Sequence, residues 1–389
     1  MLDPWFDLQR SWFSAWSQLV RLGDVSAALA RLAHAPRELV VRTLAASDTH
    51  GRTLEEVVRA DAPFRVRGSV IAATPFVRLV HLARPESPNR RFLLLAPASG
   101  YATVVLSPLA TTLAAQGEVV VTDWIDARLI PVTEGAFGLR DQVEAALAAT
   151  IALGGPAHVV ALSQSGPAAL ALVALLARRA PELLPASLTF LGCQLDPSAS
   201  RLALPLLMAP WPRELLVRQL TAPVPPGYPG TGRLVYPALL QLLSYSLASP
   251  QLYAEVQQGL LRELATGRPG DYERMHTDIH SLADVPAELF ADMLDWMLAD
   301  NPWDEGAPRL LGAPIDLGPL RDLPVLTVEA SQDELVGQGQ THGLARRLSL
   351  SLAHAATLAG GRHHDLFTGP RFFGEVAPLL RRFFAARSA

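Results

Sequence analysis

The run His158-Val159-Val160-Ala161-Leu162-Ser163-Gln164-Ser165-Gly166-Pro167-Ala168-Ala169-Leu170 constrains the chain more than any other stretch. The apolar, β-branched run Val159–Leu162 reads as a strand, and the Ala/Leu-rich continuation reads as a helix. Four small or polar residues join them, and Pro167 suits a first helical turn. A strand that enters a helix through so short a turn must turn sharply, which lifts the residue at its apex clear of its neighbours. This is the geometry of a nucleophile elbow, with small residues two before and two after the serine. Ser163 has Ala161 and Ser165 in those places, so the pattern reads A-x-S-x-S in place of G-x-S-x-G. Centring the turn on Ser165 would place Ser163 and Pro167 there, and Pro167 is better used by the helix.

The surrounding pattern fits an α/β-hydrolase fold, a mostly parallel doubly wound sheet with an inserted helical cap and an N-terminal helical segment. Short apolar runs at Val77–Leu82 and Phe92–Ala96 suggest an early strand pair. Runs at Glu118–Thr122, Ala157–Leu162, Ser187–Leu191, Pro324–Val328 and Ala355–Leu358 suggest parallel strands. Helical patterns at Pro108–Gln116, Leu139–Leu153 and Pro167–Arg179 alternate with the first of them. From about residue 199 the rhythm breaks into Pro-, Leu- and Tyr-rich sequence, with helical patches at Tyr236–Leu247 and Pro286–Leu298. The expected division is 1–70 N-terminal helical segment, 71–198 first part of the core, 199–318 cap and 319–389 second part of the core. In residues 4–22, Trp5, Leu8, Trp12, Phe13, Trp16, Leu19 and Val20 share one helical stripe, suited to the protein's core or to an apolar surface. A second helical pattern covers about 24–46.

Composition narrows the class. Half of the 389 residues are hydrophobic and 18% are charged, which excludes a disordered chain. The net charge of −4 leaves no basic footprint for nucleic acid. All basic residues other than histidine are arginine, from which no function follows. The lone cysteine, Cys193, excludes an internal disulfide and a cysteine-rich metal site. No apolar stretch is long enough to span a membrane, and the opening Met-Leu-Asp-Pro-Trp does not read as a signal peptide. The expected compartment is the cytoplasm.

A serine needs a base to take its proton and a third group to orient that base. In this fold those partners follow in the order Ser, Asp or Glu, His, on loops after later strands. Asp333 lies just past the strand Pro324–Glu329, with Glu334 and Asp365 as other carboxylates in reach of the role and Asp196 as the second choice. His363 and His364 compete for the base, after Gly360-Gly361 beyond the last strand. Adjacent histidines point apart and no His-Glu-x-x-His accompanies them, so a metal site is not expected. His158 reads as structural, and Cys193 as a small buried side chain. An oxyanion hole would use the Gln164 N–H and a second N–H from Ala98, Ser99 or Gly100 in the loop after an early strand.

Beyond these positions, several runs resemble the intracellular polyhydroxyalkanoate (polyhydroxybutyrate) depolymerases. They are Ala96-Pro97-Ala98-Ser99-Gly100-Tyr101-Ala102-Thr103, Thr122-Asp123-Trp124-Ile125-Asp126-Ala127-Arg128, Glu134-Gly135, Gly192 to Asp196, Leu282 to Phe290, Thr327 to Thr341 and His363 to Phe372. The resemblance is collinear over nearly the whole chain, and the Thr-Asp-Trp-Ile-Asp-Ala-Arg string is its most specific part. It implies an α/β hydrolase that cleaves stored polyester to hydroxyacids without a cofactor. It implies a polyester granule or oligomer as partner, neither nucleic acid nor membrane, and granule association in the cytoplasm. It favours Asp333 as acid and His363, not His364, as base, with Tyr101, Trp124 and His364 near the substrate. This chain departs from the family at the elbow, where Ser163 stands in place of a cysteine. Arg362-His363-His364 stands where the family has Gly-His-Tyr, and Gly100 is followed directly by Tyr101 where the family has a histidine. A serine elbow also suits a general carboxylesterase or polyester hydrolase on the same scaffold. A synthase-like acyltransferase is the remaining alternative, and the serine speaks against it.

Overall fold

A computed structural model describes residues 53–86, 88–199, 208, 210–268, 270–298, 309–310 and 313–387, together with 34, 35, 38, 39 and 42. The Trp-rich stripe of residues 4–22 and nearly all of the 24–46 pattern lie outside the described residues. Two compact units result, residues 1–51 with 242–282 and residues 52–241 with 283–389.

The larger unit is built on an eight-stranded sheet. Its strands are β1 (Arg67–Ala73), β2 (Val77–Ala83), β3 (Arg91–Leu95), β4 (Glu118–Trp124), β5 (His158–Leu162), β6 (Ser187–Leu191), β7 (Val325–Ala330) and β8 (Ala353–Leu358). They lie in the order β1-β2-β4-β3-β5-β6-β7-β8. β1 and β2 run antiparallel to their neighbours, and every other pair is parallel. This is the α/β-hydrolase architecture. Helices of two turns or more accompany the first strands: α1 (Leu54–Asp61), α2 (Ser107–Ala114), α3 (Leu139–Leu153) and α4 (Gly166–Arg179).

Strand burial explains the layers. Phe92 and Leu94 of β3 enter one core cluster, Leu93 and Leu95 the other. β5 divides the same way, with Val159 and Ala161 on one face and Val160 and Leu162 on the opposite face. Helices α3 and α4 cover the first face. Helix α2 and the closing helix α10 (Ala377–Ala385, after α5–α9 below) cover the second. A strand buried on both faces needs no polar alternation, which is why β3 and β5 carry the continuous apolar runs Phe92–Leu95 and Val159–Leu162.

Two features differ from the sequence reading. β2 and β3 do not pair: β4 lies between them, and β2 joins β4 antiparallel with Val77 opposite Trp124. The uninterrupted run Phe92–Leu95 demands burial on both faces, so β3 takes an interior place flanked by parallel β4 and β5. β1 was not anticipated, because Arg67–Ala73 is an edge strand with mostly exposed residues and no polar–apolar alternation.

The region expected as one cap carries α5 (Ala238–Ala248), α6 (Pro250–Thr266), α7 (Tyr272–His280) and α8 (Ala287–Met297), before α9 (Gln340–Leu348) returns to the sheet. In the smaller unit α6 and α7 pack through Gly259, where a Cβ would come within 2.3 Å of the Tyr272 ring. Glu263 accepts the N–H groups of Tyr272 and Glu273 and so starts α7. Among the described residues no helix is long and apolar enough to cross a membrane.

Candidate active site

β5 ends at Leu162, and the next residue breaks the backbone rule. Ser163 has φ +50°, a left-handed conformation that a non-glycine residue adopts only where its surroundings enforce it. One tight turn, Ser163–Ser165, then leads into α4. The hydroxyl of Ser165 holds this turn from below. It accepts the Leu162 N–H at 2.8 Å, and its own proton can go to the carbonyl of Leu95 or of Leu162, each 2.9 Å away. Ser165 is therefore part of the turn's frame, whereas Ser163 is half-buried at its apex. Cys193 lies under the turn with its Sγ 3.2 Å from the Ala161 carbonyl, and burial pushes its thiol well up, so no thiolate forms there.

Asp333 follows β7. Its Oδ1 accepts the N–H groups of Leu335 at 3.0 Å and Val336 at 2.8 Å. Its Oδ2 faces His363 Nδ1 at 2.8 Å, and His363 Nε2 lies 3.1 Å from Ser163 Oγ. Burial works against the Asp333 charge. The His363 ring, by charge and hydrogen bond, and the two backbone donors outweigh it and hold the carboxyl below its ordinary range. A carboxylate can only accept, so Nδ1 must donate to it, and Nε2 is left as the acceptor for the serine proton. Burial also favours the neutral imidazole. The Asp333 charge and hydrogen bond, and then Glu334, overcome it, and the net shift of His363 is upward.

The structure brings Ser163, His363 and Asp333 together, and the competing groups make other contacts. Asp196 pairs with Arg347 at 2.8 Å. Asp365 accepts the Arg362 N–H at 2.9 Å. Glu334 lies beside the His363 N–H at 3.4 Å, and burial raises its carboxyl. His364 stands edge-on to the His363 ring, 5.8 Å between centroids, and also against Phe367. His158 is buried between Phe92 and Phe384, and burial lowers it to about 4, so it stays neutral in the core. Among the described residues no cluster of His, Cys, Asp or Glu could hold a metal ion.

Gly192, to which the sequence assigns no role, has one in the structure. It directly follows β6, the strand between β5 and β7, with φ +53°. To reach Ser163 from the loop after β8, the His363 ring must pass over this strand end. A Cβ on Gly192 would lie 3.1 Å from His363 Cε1, 3.2 Å from Asp333 Oδ2 and 2.8 Å from Leu366 Cδ1. The only sequence signal was a glycine directly after a strand. Gly192→Ala is expected to displace the imidazole and lower kcat about a hundredfold, the typical cost of a misplaced reacting group. Steady-state assays of the folded variant check this, and a rate within threefold of the parent would contradict it.

The groups considered for the oxyanion follow two paired strands. Leu95 at the end of β3 pairs with Ala161 of β5, so the Ala98–Gly100 loop and the Gln164 N–H extend from neighbouring strands. Ala98 and Ser99 are buried. The polar groups of the two aromatics expected near substrate have protein partners. Trp124 Nε1 donates to the Ala96 carbonyl at 2.8 Å, and the Tyr101 hydroxyl donates to Asp126 Oδ2.

Comparison with known proteins gives one family match. A family model described as the PHB de-polymerase C-terminus matches residues 194–388, half of the chain. Asp333 and His363 lie inside that stretch, and Ser163 lies before it. No curated protein matches. Solved structures do, at low identity. The 2-hydroxy-6-oxo-6-phenylhexa-2,4-dienoate hydrolase of Rhodococcus sp. strain RHA1 is 16% identical, covering 82% of this chain and 99% of that one, with a TM-score of 0.46. An α/β hydrolase fold protein from Nakamurella multipartita is 17% identical, with 81% and 97% covered and a TM-score of 0.43. A thermophilic esterase from Thermogutta terrifontis is 13% identical, with 83% and 98% covered and a TM-score of 0.40.

Proposed function

Since this chain belongs to the PHB depolymerase C-terminus family, we propose that it hydrolyses the ester bonds of a polyhydroxyalkanoate or closely related polyester, with Ser163 as nucleophile. The observation that carries this reading is the continuous hydrogen-bonded line from Asp333 through His363 to a serine held at φ +50°.

Ser163 Oγ attacks the ester carbonyl as its proton passes to His363 Nε2. Asp333 keeps the ring in the required tautomer and stabilises the imidazolium. The Gln164 N–H and the loop after β3 receive the oxyanion. The imidazolium gives its proton to the leaving alkoxide, which departs as an alcohol and leaves an acyl ester on Ser163. Water, losing a proton to His363, then attacks that ester, and His363 returns the proton to Ser163 Oγ as the hydroxyacid leaves. Serine in place of cysteine makes this intermediate an oxygen ester rather than a thioester. No step calls for a cofactor. The proposed site of action is a polyester granule in the cytoplasm.

Labelling tests the nucleophile. A fluorophosphonate is expected to inactivate the protein and to appear on the Ser163 peptide in a mass-spectrometric digest. Iodoacetamide is expected to leave activity intact, because the only thiol, Cys193, is buried and its ionisation is suppressed. Inactivation that tracks alkylation of Cys193 would overturn the serine mechanism.

The pH profile tests the base. His363 must be neutral to take the proton, and its partners raise it above its ordinary value of about 6.5. Activity is therefore present at high pH and is lost as pH falls through a midpoint above about 6.5. A kcat/KM profile whose acid limb lies below that value would contradict the assignment.

A further inference from the structure

The string Thr122-Asp123-Trp124-Ile125-Asp126-Ala127-Arg128 contributes no side chain to the Ser163–His363–Asp333 line. Its alternate residues are nonetheless all turned to one task. Thr122 Oγ1 accepts the Ala96 N–H at 3.0 Å, and Trp124 Nε1 donates to the Ala96 carbonyl at 2.8 Å. Both backbone polar groups of Ala96, which opens the loop after β3, are thereby fixed by side chains of the adjacent strand β4. At the far end of the same loop, Asp126 accepts the Tyr101 hydroxyl and Arg128 donates to that oxygen. Asp126 is itself held. Its Oδ1 accepts the N–H groups of Arg128 at 3.0 Å and Asp284 at 3.3 Å, and its Oδ2 pairs with Arg128 Nε at 2.9 Å. A third tie falls mid-loop, where the Ser99 carbonyl accepts the Ala283 N–H at 2.8 Å. Alternation explains the first pair, since every second residue of a strand points the same way, whereas Asp126 and Arg128 lie in the tight turn that follows β4. Burial raises the Tyr101 hydroxyl far above neutrality, so it remains a donor at any working pH.

We infer that Thr122, Trp124, Asp126 and Arg128 form a brace that presets the loop Ala96–Tyr101 for the oxyanion, making Trp124 and Tyr101 positioning residues rather than substrate contacts. This rests on the ester-hydrolase reading above. A donor helps only if it already sits where the charge will develop, so a loop fixed at both ends and in the middle suits the task.

The test uses the full chain and a fluorophosphonate, whose tetrahedral adduct on Ser163 places an oxygen in the same hole. Tyr101→Phe removes only the hydroxyl, and Trp124→Phe removes the indole N–H while keeping a ring. Each variant is expected to be labelled ten- to a hundredfold more slowly than the parent. The pH midpoint of labelling, set by His363, should not move. Thr150→Val, which removes a buried hydroxyl bonded to Ala146 in α3, serves as a control and should label at the parental rate. If the parent is not labelled on Ser163, the ester-hydrolase reading fails and the brace with it. If the parent is labelled and both phenylalanine variants match its rate, the brace fails while the reading stands. Slow labelling with a displaced pH midpoint would place the effect on His363 and also overturn the brace. So would slowing that merely follows the unfolded fraction across temperature.

Discussion

Replacing Ser163 by alanine is expected to lower kcat for a soluble chromogenic ester by about six orders of magnitude, leaving only the rate that substrate binding and the oxyanion donors provide. The size of the loss follows from the geometry. Ser163 Oγ is the atom that His363 Nε2 reaches at 3.1 Å. Ser165 is the natural control. Its hydroxyl is occupied by Leu162 and Leu95, so Ser165→Ala should retain most activity while losing stability. Leaving the buried Leu162 N–H unpaired costs about 1–3 kcal/mol. If the Ser165 variant were inactive and the Ser163 variant active, the elbow would be centred two residues further on.

Asp333→Asn should cost about 10⁴ in kcat without disturbing the fold. The two N–H groups of Leu335 and Val336 point at Oδ1, and they require an acceptor there. An asparagine must therefore keep its carbonyl oxygen in that place and turn its NH₂ toward His363. Nδ1 would then have to accept, and the proton would move to Nε2, where it blocks transfer from Ser163. The effect is a wrong tautomer in an otherwise intact site, so the melting temperature should change far less than the rate. Steady-state kinetics beside a thermal melt check this. Activity within tenfold of the parent would show that Asp333 does not set the tautomer.

The three residues named from the sequence are the three that the structure joins, and the reason is physical. A strand, a sharp turn through small residues and an Ala/Leu helix leave a local signature around Ser163. Asp333 and His363 each follow a short apolar run, which places them at strand ends. Pairing was less legible. Nothing in Val77–Ala83 tells that its partner is β4, some forty residues on, rather than the next strand, because register depends on contacts far apart in sequence. β1 escaped notice because an exposed edge strand needs no apolar alternation. Gly192 and the brace share that difficulty. A missing Cβ matters only once the His363 ring is known to pass over it, and the ties from Thr122 and Trp124 to Ala96 exist only because β4 lies beside β3.

Polyester hydrolysis itself is tested most directly by hydroxyacid release. Amorphous polyhydroxybutyrate granules would be incubated with the parent chain and with Ser163→Ala, and free 3-hydroxybutyrate and its oligomers measured over time. The account predicts steady release by the parent and none above background by the variant. Rapid cleavage of short soluble esters with no release from granules would contradict it, and would make the protein a general carboxylesterase on this scaffold.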